Sequence, residues 1–125
     1  MIHGDLLGER ARISPAREAL VEVASGRRLT YAELDRRARL CGRALLYGLG
    51  LKHGDRVAIL CHNRLEMLDA FFAAGKCGVV LVPLNTRLTA PELQQILADA
   101  GARAVLYGGE LAEVVGALQR SCPQV

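Results

Sequence analysis

The sequence predicts an α/β fold: a parallel β-sheet core between flanking helices, in three layers (α/β/α), with a small antiparallel β-hairpin near the N-terminus. Three observations predict it. Short unbroken apolar runs stand at 57–61 (V-A-I-L-C), 79–82 (V-V-L-V) and 104–107 (A-V-L-Y). Such runs, spaced by helices, indicate parallel strands buried on both faces. Helix-start signals fall between the runs. Upstream, 18–23 (E-A-L-V-E-V) alternates as a half-buried strand does, and a turn at 24–27 leads to a second short strand at 28–31.

Taken in order, residues 1–14 form a short helix and lead-in that Ser14-Pro15 breaks. After the hairpin, Thr30-Tyr31-Ala32-Glu33 is a capping box with Leu29 and Leu34 as its hydrophobic staple. The helix it starts buries Leu34, Ala38, Cys41 and Leu45 and turns Asp35, Arg36, Arg39 and Arg43 outward. Gly48 and Gly50 end it. Asn63 is the expected cap of a second helix, 64–76, which is apolar almost all round and so expected to be covered on most sides. Thr89-Ala90-Pro91-Glu92 repeats the capping box, with Leu88 and Leu93 as staple, and starts a third helix to about residue 100. A last helix spans 110–120 and stops before Pro123. Right-handed crossovers join the parallel strands, and residues 1–125 make one α/β domain.

Composition narrows the function. Half the residues are hydrophobic and 23% are charged, so the chain is globular rather than disordered. The net charge is only +3, and the cluster Arg36, Arg37, Arg39 and Arg43 lacks the interleaved aromatics of a nucleic-acid reader. It reads as the solvated face of a helix. Cys41, Cys61, Cys77 and Cys122 form no C-x-x-C pair and have apolar neighbours, which suits free thiols in a reducing cytoplasm. Residues 1–12 hold no signal-peptide apolar stretch, and no apolar run is long enough to span a bilayer.

A search for active groups finds none. Neither G-x-x-x-x-G-K-[ST] nor G-x-G-x-x-G is present. Gly75-Lys76-Cys77-Gly78 is a helix exit, and Gly108-Gly109-Glu110 is an ordinary turn between strand and helix. His3, His53 and His62 are scattered; Cys61 and His62 are neighbours on a strand and point to opposite faces.

The order of segments, however, resembles a known family. Leu29-Thr30-Tyr31-Ala32-Glu33-Leu34 resembles the L-T-Y-x-E-L that opens the first long helix of adenylate-forming (AMP-binding) enzymes. Residues 54–59 (G-D-R-V-A-I), Asn63 with Glu66, the passage 73–80 (A-A-G-K-C-G-V-V) and 83–88 (P-L-N-T-R-L) followed by Glu92-Leu93 match that family in the same order. Within the class, Asn85-Thr86-Arg87-Leu88 is similar to fatty-acyl and aryl-CoA ligases, whereas peptide-synthetase adenylation domains carry P-L-D-P.

The resemblance implies the N-terminal part of an acyl-CoA synthetase of the long- or medium-chain fatty-acid–CoA ligase kind. Such an enzyme uses ATP and Mg²⁺ to make an acyl-adenylate and then passes the acyl group to CoA. The family's Ser/Thr/Gly-rich phosphate loop, its Tyr-Gly-x-Thr-Glu motif and its C-terminal domain are not in this sequence. The chain alone is therefore expected to be inactive, to have no catalytic residue of its own, to bind none of these cofactors firmly, and to partner the remainder of a synthetase chain or a second copy of itself. The resemblance also implies that Asn85, Thr86 and Arg87 border the CoA entrance, where a guanidinium suits phosphate. The contrasting expectation is a stand-alone, non-catalytic α/β binding or interaction module.

Overall fold

A computed structural model describes residues 4–125. His3 lies outside the described residues. The elements are α1 (Leu6–Ile13), β1 (Glu18–Glu22), β2 (Arg27–Thr30), α2 (Tyr31–Arg43), β3 (Arg56–Leu60), α3 (Leu65–Cys77), β4 (Val80–Pro83), α4 (Ala90–Ala100), β5 (Ala102–Tyr107) and α5 (Ala112–Ser121). A π-helical turn, Ala44–Gly48, extends α2, and a 3-10 turn, Gly109–Leu111, precedes α5.

β1 and β2 pair antiparallel, and β3, β4 and β5 form a parallel sheet in the order β4-β3-β5. Alternation along the central strand builds the three layers. Val57 and Ile59 face Ala73 and Ala70 of α3, with Leu45 and Cys41 from the α2 side. Ala58 and Leu60 face Leu93 and Leu97 of α4 and Leu118 of α5. β3 steps to β4 with α3 on one face, and β4 steps back past β3 to β5 with α4 on the other. Both crossovers therefore share one hand, as the rule for parallel strands requires. A register shift opposite Arg56 and Val57 skips Arg103, which restores the alternation for Val105 and Leu106.

All three strands pack on both faces, as expected, but only β3 is almost wholly buried, while β4 and β5 are partly so. β4 and β5 each pair on one side only among the described residues, and Val80 and Tyr107 are about half exposed. A further apolar cluster lies outside this sandwich, where Leu7 of α1, Leu34 and Ala38 of α2 and Leu65 of α3 pack with Leu20 and Leu29 of the hairpin.

The caps explain the helix starts. Thr30 Oγ1 accepts from the Glu33 amide (3.2 Å), and the Glu33 carboxylate accepts from the Thr30 amide (2.8 Å). At α4 the Glu92 carboxylate accepts both the Thr89 amide (2.8 Å) and the Thr89 hydroxyl (2.9 Å). Asn63 is not the cap of α3. Arg64 holds that position in extended conformation and supplies no side-chain cap. Gly78 ends α3 at φ 72°, the left-handed region that favours glycine, and a Cβ there would fall 2.1 Å from the His53 ring.

One outward assignment is overturned. Asp35 of α2 is buried, because Lys76 of α3 donates to it and Arg39 lies 3.3 Å away. Lys76 also donates to Asp5, the cap of α1, at 2.7 Å. Asp69, on the helix expected to be apolar nearly throughout, is buried and takes two hydrogen bonds from Arg37 at 3.1 and 2.6 Å. Phe71, on the same helix, stays 58% exposed.

Candidate functional site

In an open parallel sheet, ligands bind beyond the carboxyl ends of the strands, where neighbouring connections leave to opposite faces. β3 leads to α3 on one face, while β4 and β5 lead to α4 and α5 on the other. The strand ends on either side of β3 are therefore the places to examine, and a cavity lies at each.

The crevice between β3 and β5, about 280 Å³, is lined by Cys41, Cys61, Arg64, Asp69, Tyr107 and Gly108 among others. It is closed electrostatically by the protein's own groups. Arg64 pairs with Glu110 at 2.5 Å, joining the two loops. The Gly108 amide donates to the Leu60 carbonyl (3.0 Å), and a Cβ on Gly108 would fall 2.5 Å from the Glu110 carboxylate. The turn at Gly108-Gly109-Glu110 thus carries its own anion, in agreement with its reading as an ordinary turn. Burial pushes the Cys41 and Cys61 thiols up, away from the reactive thiolate. All four cysteines are free thiols.

The cavity between β3 and β4, about 520 Å³, differs. Cys61, His62 and Asn63 line it from one loop, Asn85, Thr86 and Arg87 from the other, and Met67, Pro83 and Leu84 complete its lining. The sequence fixes the second loop locally. Asn85 Oδ1 accepts the Arg87 amide (2.9 Å), and its carbonyl accepts the Leu88 amide (3.1 Å), the side-chain-mimicked turn that asparagine favours. Pro83 ends the strand, and the Leu84 amide still reaches the Ile59 carbonyl (2.9 Å). Arg87 is exposed, and no hydrogen bond or ion pair engages its guanidinium among the described residues. No carboxylate lines the cavity. Its surplus of donors suits an anion better than a cation or an apolar chain. Asn85, Thr86 and Arg87, singled out in the sequence, are thus brought together. His62 and Asn63 join them, which nothing in the sequence spacing signalled. His53 is remote from this cavity, packed at Gly78 at the opposite end of α3.

No group of three or more His, Cys, Asp or Glu side chains that could hold a metal ion occurs among the described residues. No helix among them is long and apolar enough to cross a membrane.

Comparison with known proteins agrees with this architecture. A family model described as AMP-binding enzyme matches residues 7–124. The long-chain-fatty-acid–CoA ligase FadD13 of Mycobacterium tuberculosis is 43% identical over 116 residues, covering 93% of this chain and 23% of the ligase. A feruloyl-CoA synthase from Amycolatopsis is 48% identical over 110 residues, covering 87% of this chain and 22% of the synthase. Among solved structures, the anthranilate CoA ligase AuaEII in complex with anthranoyl-AMP superimposes on all of this chain and 24% of that one, with TM-score 0.89 and 27% identity. The chain spans about a quarter of the length of these relatives. With the order of strands and caps, and a family match across nearly its whole length, the chain belongs to the AMP-binding enzyme family.

Proposed function

We propose that the chain is the N-terminal part of the large adenylation domain of an ATP-dependent acyl-CoA synthetase, within fatty-acid or aryl-acid metabolism in the cytoplasm. The complete enzyme would join a carboxylate to the α-phosphate of ATP, releasing pyrophosphate, and then transfer the acyl group from AMP to the CoA thiol. In this reading residues 1–125 scaffold the site and border the CoA nucleotide, and other parts of a longer chain hold ATP and Mg²⁺. Such parts, or a second copy of this chain, would cover the open sheet edges.

The observation that supports the reading is the cavity at the carboxyl ends of β3 and β4. Its cationic Arg87 has no opposing carboxylate, and it lies on a fold shared with CoA ligases. Asn85 sets the turn, Thr86 adds a hydroxyl, and Arg87 offers a forked donor to a phosphate. Chemistry in this class rests on placing anions and screening their charge.

Acid-dependent ATP–pyrophosphate exchange tests the division of labour, with a panel of fatty and aromatic acids. The 125-residue chain is expected to match a no-protein blank. The product of the whole reading frame that encodes it is expected to exchange with at least one acid. Exchange by the short chain would overturn its role as scaffold. A reading frame that stops at Val125, with no exchange, would favour a non-catalytic module.

A further inference from the structure

The structure divides the arginine cluster of α2. Arg37 donates twice to Asp69, and Arg39 lies 3.3 Å from Asp35. Arg36 and Arg43 stay exposed, and no hydrogen bond or ion pair engages either guanidinium among the described residues. Two large apolar side chains stand beside them in solvent: Leu40 is 60% exposed and Tyr47 82%. Arg36, Leu40, Arg43 and Tyr47 follow one another at steps of four, three and four residues, which places them along one face of the helix. Leu34, Ala38 and Leu45 hold the opposite, buried face. The helix therefore presents apolar groups both inward and outward. The π-helical turn Ala44–Gly48, closed by the Leu49 amide on the Ala44 carbonyl at 3.0 Å, sets Tyr47 about one turn beyond Arg43.

We propose that this outer face of α2 is a docking surface for an acidic amphipathic helix of another protein, with Leu40 and Tyr47 as apolar anchors and Arg36 and Arg43 as its charge partners. None of these four side chains lines either cavity at the strand ends, so the surface is separate from the site at 85–87.

Charge selects the partner. The acid of α2 nearest this face, Glu33, is already taken up by the Thr30 amide. The face is thus net positive, and carboxylates flanking an apolar side chain complement it. Tyrosine and arginine are also the residue types that carry most binding energy at protein interfaces. A second copy of the chain fits poorly. In a two-fold pairing that sets Leu40 against Tyr47, Arg43 falls opposite Ala44 of the copy, so the two Arg43 side chains meet at the axis and repel. A nucleic-acid backbone is held through many phosphate contacts at once, and two guanidiniums with a single aromatic do not supply them. An anionic membrane would gain about 1 kcal/mol from each arginine, too little for stable attachment without a deeper apolar face.

Fluorescence anisotropy of a labelled synthetic helix tests the surface on the 125-residue chain. The probe is about 18 residues long, or roughly five turns, with leucines at i, i+4 and i+7 flanked by glutamates. A control peptide carries lysine at each glutamate position. The acidic probe should bind at least about tenfold more tightly than the lysine control. Leu40→Ala and Tyr47→Ala should each weaken it about tenfold, with the helix content of the chain unchanged, since both side chains stand in solvent. Arg36→Glu with Arg43→Glu should invert the preference, so that the lysine control binds and the acidic probe does not. Arg103→Glu with Arg120→Glu makes the same change of net charge at two other exposed positions and should leave the preference standing. Equal effects of the two charge reversals would mean attraction to net charge alone and would overturn the surface. So would absence of binding by the acidic probe, or binding that Leu40→Ala and Tyr47→Ala leave untouched. Phosphatidylserine vesicles and a single-stranded oligonucleotide run beside the peptides. If either binds, the α2 variants abolish that binding and the acidic probe does not bind, the acidic helix is overturned and the face belongs to that other partner.

Discussion

Lys76→Met removes the centre of a polar knot that ties three helices. The Lys76 side chain is 10% exposed, Asp35 12% and Asp5 50%. The methionine fills nearly the same space but leaves the Asp35 carboxylate buried, with only the exposed Arg39 guanidinium at 3.3 Å. Stranding one partner of a fully buried ion pair costs about 3–5 kcal/mol. Here Arg39 remains and Asp5 can turn to water, so the cost should be about 2–3 kcal/mol. With a urea slope of about 1–3 kcal/mol per M, the midpoint should fall by roughly 1 M or more.

The pH profile adds a second reading. Burial by itself would raise the Asp5 carboxyl, but hydrogen bonds from Lys76 and the Gly8 amide outweigh it and hold the group below its usual range. Burial would lower Lys76, and its hydrogen bonds to Asp35 and Asp5 outweigh that and push it up. Stability from Asp5 is therefore present above the ordinary carboxylate range, about pH 4, and is lost as pH falls through its lower folded value. Stability from Lys76 is present below about pH 10.5 and is lost as pH rises through its higher folded value. In Lys76→Met the alkaline loss should vanish and the acid loss become shallower. Adding Asp35→Leu should recover at least half the midpoint shift, since no buried charge is then stranded. An unchanged midpoint in Lys76→Met, with unchanged flanks, would refute the assignment.

Both capping threonines should matter. Thr30→Ala and Thr89→Ala each remove the hydroxyl of a capping box and should each cost about 1 kcal/mol; unchanged urea midpoints for the two variants would contradict this. The isolated chain should self-associate, because β4 and β5 have open edges and Phe71 stands 58% exposed on α3; a strictly monomeric species in light scattering across a concentration series would count against it.

Local chemistry made most of the fold legible. The Thr30 and Thr89 capping boxes mark helix starts within a few residues of their cause, and three apolar runs sit close to β3, β4 and β5. Burial of charge was not legible. Asp35 follows the amphipathic period outward, and its partner Lys76 is 41 residues away in sequence. Arg37 and Asp69 are likewise 32 residues apart. A pattern read along one helix carries no information about a neighbour that neutralises it. The same holds at the candidate site, where resemblance pointed to Asn85–Arg87 while His62 became a neighbour only through the register of β3 with β4. Which strands would stand at the open edges was not legible either, since apolar composition does not reveal a strand's place in the sheet.

The order β4-β3-β5 also sets a schedule for assembly. Arg56 meets Val80, 24 residues on, but Ala102 only 46 residues on. The first closure needs one crossover helix, the second needs two, and longer loops close at greater entropic cost. On a ribosome, β3-α3-β4 can condense against α2 while β5 is still being made. Until α4 and, after β5, α5 have been made, the Ala58 and Leu60 face of the central strand lacks the cover that these two helices share. The strand that ends up most buried thus waits through two crossovers for its second neighbour.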